Sequence, residues 1–207
     1  MALTEHYHTK FEEDQFYHIY NRSVDRKAMF NNDGNYEFFL RKYDQYLSSV
    51  VDTYAYCLLG NHFHLLIRIQ NLTAFKEAYN LPPEKPTHDI ISHQLRKFFQ
   101  SYAMAFNKQS DRIGTLFQTP FKRALVDNDQ YFTQLIYYIH ANPQIHGLIS
   151  DFKDWEWSSY KRILVERPSK LKKKEVIEWF GSKVAYQLFH SRNQMLTPNE
   201  KYVLEDD

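Results

Sequence analysis

A chain of 207 residues with 43% hydrophobic and 25% charged side chains can bury a core and is not globally disordered. Its 26 basic and 25 acidic residues leave a net charge of +1, so any surface for nucleic acid must come from uneven placement of charge. Five glycines and no Gly-rich nucleotide signature argue against a phosphate cradle, and the single Cys57 excludes an intramolecular disulfide framework and fits a reducing compartment. The first residues carry no long apolar stretch, and nowhere do ~18 apolar residues run together. These features predict a cytoplasmic protein with no membrane partner. Aromatic content is unusual at 17%.

The aromatic run 15–21 predicts a first strand. Apolar residues at 36, 39, 40, 43, 46, 47 and 50 lie on one helical face, which predicts a first helix from Tyr36. Runs 53–59 and 62–69 flank Gly60-Asn61 and read as a hairpin closed by a two-residue turn. The Pro-rich segment 81–86 reads as a loop, followed by a second long helix near 88–108. Residues 121–126 predict another strand. Asp127-Asn128-Asp129 then caps a third helix, roughly 129–141, stopped by Asn142-Pro143. Strands and helices mix without regular βαβ alternation, so the expected class is α+β, an antiparallel sheet flanked by helices. Beyond Leu148 the composition shifts to short helical patterns with Trp155, Trp157 and Trp179. The expected division is a main domain over 1–149 and a small helical C-terminal appendage over 150–207.

Two constellations bear chemistry. His62-Phe63-His64 places two imidazoles on one face of a strand, half of a metal site, while Phe63 turns to the other face. Taken alone, that spacing fits two ordinary hairpin histidines as well. On the third helix Tyr138 and Asn142 share a face, whereas Tyr137 is rotated away by ~100°. Taken alone, Asn before Pro is also an ordinary helix stop.

Read together, Tyr20-Asn21-Arg22, Gly60-Asn61-His62-Phe63-His64-Leu65-Leu66, Leu116-Phe117-Gln118-Thr119-Pro120-Phe121-Lys122 and Tyr138-Ile139-His140-Ala141-Asn142-Pro143 occur in that order. With Trp157-Ser158-Ser159-Tyr160, this series resembles the REP-associated tyrosine transposases, in the single-tyrosine branch of the His-hydrophobic-His (HUH) nucleases. The resemblance covers roughly residues 14–162. It departs at Gly60, where many relatives have Pro, and at Thr119-Pro120-Phe121, where a more basic pattern is usual.

The resemblance implies a ferredoxin- or RRM-like HUH nuclease fold and a transposase-like DNA endonuclease and strand transferase. It implies Tyr138 as the nucleophile, and His62, His64 and Asn142 as ligands of Mg²⁺ or Mn²⁺. It further implies single-stranded or hairpin DNA as partner, cleaved and rejoined through a 5′-phosphotyrosine, by a monomer or homodimer. A non-catalytic hairpin-binding protein of the same fold and a water-using phosphodiesterase are the two rivals.

The basic residues are unevenly placed. Six cations between Arg96 and Arg123 face a lone Asp111, and residues 167–174 hold five cations and no acid. From these and the Tyr-Asn-Arg motif, the expected DNA contacts are Arg22, Lys97, Arg112, Lys122, Arg123, Lys172, Lys173 and Lys174.

Overall fold

The computed structural model describes residues 9–192. The first eight residues, and the end of the appendage at 193–207, lie outside the described residues. Strand β1 (Phe16–Arg22) is followed by helix α1 (Asp33–Leu47), strands β2 (Val51–Leu58) and β3 (His62–Ile69), a short helix α2 (Thr73–Ala78) and the long helix α3 (Thr87–Gln109). Strand β4 (Lys122–Val126) leads into helix α4 (Asp129–Ile145). A 3₁₀ turn and helices α5 (Tyr160–Leu164), α6 (Lys173–Phe180) and α7 (Lys183–Arg192) complete it.

The four strands form one antiparallel sheet in the order β2-β3-β1-β4. With α1 and α3 packed on one face, this is the ferredoxin-like β-α-β-β-α-β arrangement the sequence led us to expect. Alternation along each strand feeds two cores. Tyr17 and Ile19 of β1 and Phe63, Leu65 and Ile67 of β3 join the α1 and α3 side chains Phe39, Leu95, Phe98 and Tyr102. On the other face Leu66, Tyr54 and Cys57 join Phe132, Leu135, Ile136 and Ile139 of α4.

Helix α4 begins where Asn128 accepts a hydrogen bond from Tyr131 N–H, at 2.8 Å. It does not stop at Asn142-Pro143 as the sequence predicted, and Pro143 lies inside it. Proline removes one N–H but leaves later ones, and His146 N–H still donates to Asn142 C=O at 3.0 Å. The Asn142 side-chain amide donates to Tyr138 C=O, at 3.0 Å. The extra turn carries the helix past Asn142 to His146.

The β2–β3 connection is also longer than the predicted two-residue turn. Leu59, Gly60 and Asn61 lie between the strands, with Leu59 N–H bonded to His62 C=O at 2.8 Å. Met29 and Phe30 N–H both donate to Gly60 C=O, which pins this loop beneath the end of β1.

The described part of the C-terminal segment, residues 150–192, is largely helical and shares the second core. Phe152, Tyr160, Ile163, Val176 and Tyr186 are buried in the same cluster as Tyr54 and Leu66 of the sheet. Its chain also runs beside β2, bridging Cys57 to Ser158 and Thr53 to Leu171. Trp157 stacks on Tyr36 with ring centroids 4.5 Å apart, and Trp155 Nε1 donates to Leu58 C=O.

Candidate active site

Directly opposed residues of an antiparallel pair point to the same face. Cys57, His64, Tyr20 and Lys122 therefore form one row across the sheet, through the pairs Cys57–His64, His64–Tyr20 and Tyr20–Lys122. The next row toward the open end of the sheet is His62 opposite Arg22, and the row on the other side contains Leu66, His18 and Ala124. All three rows face α4, which lays Tyr138 across them. The Tyr138 ring stands edge-on to His64 and His18, with centroids 5.6 and 6.4 Å away.

The structure thus brings together the four residues that the sequence singled out for chemistry. His62 and His64 project from one face of β3 with ring centroids 5.3 Å apart. Tyr138, His62 and His64 are nearly buried, and Asn142 is wholly buried. Tyr137 turns the other way, onto Phe152, Phe189 and His190. These four residues meet within one copy of the chain.

Hydrogen bonding distinguishes the two nitrogens of each imidazole. His62 Nδ1 lies 2.7 Å from Asn61 Oδ1. Asn61 is oriented by donating its amide N–H to Arg26 C=O, so its oxygen faces His62 and can only accept. His62 therefore carries its proton on Nδ1 and leaves Nε2 bare. His64 Nδ1 lies 3.0 Å from His18 Nε2. The Nε2 atoms of both His62 and His64, together with Asn142 Oδ1, are buried without a hydrogen-bond partner among the described residues.

Buried polar atoms are nearly always paired, so three orphans converging on one spot call for a ligand. Two imidazole nitrogens and an amide oxygen fit a divalent cation; the mixed set suits Mn²⁺ through the imidazoles and Mg²⁺ through the oxygen. Among the described residues, no group of three His, Cys, Asp or Glu is placed to hold a metal, so a site here needs the Asn142 amide as its third donor.

The electrostatics agree with that donor set. Burial drives the His62 pKa down to about 3, assisted by His146 and Arg22 and partly opposed by Asn142. Burial likewise holds His64 well below the usual imidazole range, with His18, His62, His146 and Arg22 adding to the effect. Both imidazoles are neutral and ligand-competent at physiological pH. Burial raises the Tyr138 pKa, while Asn142 and Arg22 pull against it. Asn142 thus lies near enough to bias the proton equilibria of His62 and Tyr138, though its Oδ1 accepts no aligned hydrogen bond among the described residues.

The expected DNA contacts separate into groups. Arg22 and Lys122 stand beside the site, Lys122 with its ammonium 5.7 Å from the Tyr20 ring centre. Lys97 is exposed on α3, and Arg112 pairs with Asp25 at 3.5 Å. Arg123 departs from the expectation. The alternation that turns Lys122 toward the site turns Arg123 to the opposite face. There it is buried, donating to Thr9 C=O and lying over Phe11 and Phe121.

In the 167–174 run three cations already have partners within the protein, the first being Lys170, which pairs with Asp44 at 2.6 Å. Lys172 pairs with Asp52 and Glu175, and Lys173 donates to the Val165 and Arg167 carbonyls. Asp52 pairs with Arg68, four residues along β3 from His64 and so roughly 13 Å away. Lys174 is exposed on the same segment.

Three residues at the site carried no role in the sequence reading. His18 shares the period-2 face of Tyr20 and Arg22, Asn61 precedes the His pair, and His146 continues the Tyr138–Asn142 spacing by one more turn. The His146 ring stands 4.9 Å from that of His62.

No family model matches the chain. Among curated proteins, one of Haemophilus influenzae, provisionally named a REP-associated tyrosine transposase, is 29% identical over 114 residues. The chain spans 60% of that relative's length and the match covers 54% of this chain. Among solved structures, a REP-associated tyrosine transposase bound to a REP hairpin superposes with a TM-score of 0.58 at 16% identity. That match covers 77% of this chain and 86% of the other. The architecture is therefore the α+β fold of that class. In sequence and in fold, this chain is similar to the REP-associated tyrosine transposases, as its motifs indicated.

Proposed function

We propose that the protein cleaves and rejoins single-stranded DNA beside a hairpin, through a covalent bond to Tyr138 and with Mg²⁺ or Mn²⁺ held by His62, His64 and Asn142. One observation carries this reading: the unpartnered His62 Nε2, His64 Nε2 and Asn142 Oδ1 converge next to the Tyr138 ring. The relative from H. influenzae and the hairpin-bound structure support the choice of DNA.

The bound cation supplies Lewis-acid polarisation of the scissile phosphate. The chain's own residues supply the rest. His62 and His64 offer neutral nitrogens, and each ring is held by a hydrogen bond at Nδ1. Arg22, opposite His62, adds positive charge that favours both a bound phosphate and the Tyr138 phenolate. Tyr138 Oη loses its proton and bonds to phosphorus while the phosphorus–O3′ bond breaks. The 3′ oxygen leaves and takes up a proton, and the 5′ phosphate stays on tyrosine. The phosphotyrosine keeps the energy of the broken bond, so a second 3′-hydroxyl can reverse the step and join strands.

The test is Tyr138→Phe assayed on a hairpin-bearing single strand with Mn²⁺. This change removes one oxygen and little packing, so DNA and metal binding persist while cleavage and the adduct are lost. Tyr137→Phe keeps both. Cleavage by Tyr138→Phe at the native rate identifies water as the nucleophile and replaces this reading with a phosphodiesterase.

A further inference from the structure

We propose that His18 is a positioning residue that fixes which nitrogen of His64 faces the candidate metal site; this rests on the metal-binding reading above. A neutral imidazole carries one proton, and only its bare nitrogen can hold a metal. Imidazole in water prefers the proton on Nε2, which on His64 is the buried nitrogen with no hydrogen-bond partner among the described residues. A ligand role for that atom requires the proton on Nδ1, and something must accept it there. The acceptor in reach is His18 Nε2, at 3.0 Å.

His62 and His64 solve the same problem differently. His62 uses the amide oxygen of Asn61, which cannot donate and so leaves no choice of tautomer. His64 uses a second imidazole, which can accept or donate, so the pair shares one proton along the hydrogen bond. His18 is held for this purpose. It is fully buried on β1, one row from His64, and its ring is stacked against Tyr20 and His64 with centroids 4.9 and 5.2 Å away. A metal-ligating histidine whose other nitrogen is bonded in this way is better oriented and more basic, and losing the partner weakens metal binding roughly 10–100-fold.

Packing alone would also explain a buried ring, so the test separates acceptor from filler. His18→Gln keeps an acceptor oxygen near the position of Nε2, and His18→Leu fills space without one. Mn²⁺ affinity is measured by titration calorimetry on the full-length chain, with thermal unfolding as the folding control. The account predicts affinity within a few-fold of native for His18→Gln and a roughly 10–100-fold loss for His18→Leu. Native affinity in a folded His18→Leu overturns the proposal and leaves the proposed function standing. Absence of Mn²⁺ binding by the wild-type chain overturns the metal site itself, and the positioning role with it. Should His18→Leu not fold, the wild-type chain still decides. Imidazole ¹⁵N spectra of the metal-free protein must show His64 protonated on Nδ1 and bare on Nε2, and the opposite tautomer overturns the proposal.

Discussion

At the scale of single residues, the site depends on atoms that have no internal partner. His62 Nε2 and His64 Nε2 give up hydrogen bonds that water would supply in an unfolded chain, a cost of about 1–3 kcal/mol for each buried group. The expected outcome is that His64→Ala abolishes Mn²⁺ binding and cleavage, and that the metal-free melting temperature also falls, because the change leaves a cavity and takes the partner from His18 Nε2. Calorimetry and a thermal scan on the same sample check both halves. The His pair and the Tyr138–Asn142 spacing were legible in the sequence because both follow local periodicities, two for a strand and 3.6 for a helix. Neighbours on β4 face opposite ways, so the same alternation separates Lys122 from Arg123, although the sequence reading groups the two as DNA contacts. The partners of Lys172 were not legible. Asp52, 120 residues upstream, reaches Lys172 only through the bridge of Thr53 to Leu171 beside β2.

At the scale of elements, the question is what fixes the rotation of α4, since a turn of 100° exchanges Tyr138 for Tyr137. The far side of the helix supplies a directed chain of buried hydrogen bonds. His190 Nδ1 faces Tyr186 C=O at 2.8 Å and must donate, so His190 Nε2 accepts from His140 Nδ1 at 3.0 Å. His140 Nε2 then accepts from Ser159 Oγ at 2.7 Å, and Ser159 Oγ accepts Tyr56 N–H at 2.9 Å. These contacts tie α4 to α7, to the Ser158-Ser159 segment and to β2. They account for His140 and Ser159 in the motifs, which showed that these residues matter without showing that they meet. Full burial of Ser159, His140 and His190 gives this chain of contacts no opening to a substrate.

A neutral chain of this kind has no place for an extra proton. Burial holds the His190 pKa down to about 4 against 6.5 for an ordinary histidine. The unfolded state therefore binds the proton first as the pH falls. Stability from this group is complete above pH about 6.5 and declines toward pH 4, by up to about 1.4 kcal/mol per pH unit. Urea midpoints at pH 7.5 and pH 5 measure the decline, and His190→Phe makes it shallower by about one proton. The same variant removes the 3.0 Å acceptor of His140 Nδ1–H, leaving only the longer contact to Tyr186 Oη at 3.4 Å, and costs about 1–3 kcal/mol at pH 7.5.

At the scale of the whole molecule, the sheet is a partition. One face is closed by α1 and α3 around an aromatic core, and the other holds the site between β1, β3 and α4. The four strands, the hairpin and the three long helices were legible from alternation and helical spacing, whereas the sheet order was not. The short helix α2 was not, because six residues carry too little periodic signal. The continuation of α4 past Pro143 was not legible either, because proline reads as a stop unless packing holds the next turn. Removal of residues 150–207 strips Phe152, Tyr160, Ile163, Val176 and Tyr186 from the second core, each contributing on the order of 1.5–3 kcal/mol. Such a truncation is expected to aggregate, as light scattering would show, and not to behave as a free nuclease domain. No helix among the described residues is long and apolar enough to cross a membrane.

Charge at this scale also yields an expectation. Arg22 and Lys122 flank the site, whereas Lys172 and Lys173 are paired elsewhere. Arg22→Ala and Lys122→Ala should each lower the slope of log affinity against log salt by about one, while Lys172→Ala should leave it nearly unchanged. Filter binding of a hairpin strand across a salt series measures this.

The central claim is that Tyr138 becomes covalently joined to DNA. The most direct measurement is mass spectrometry of the protein after incubation with a hairpin-bearing single strand and Mn²⁺, followed by nuclease and protease digestion. The account predicts a nucleotide mass attached through a 5′ phosphate to the peptide carrying Tyr138. DNA that is cut with no nucleotide on any tyrosine, or a nucleotide on Tyr137 in its place, would contradict it.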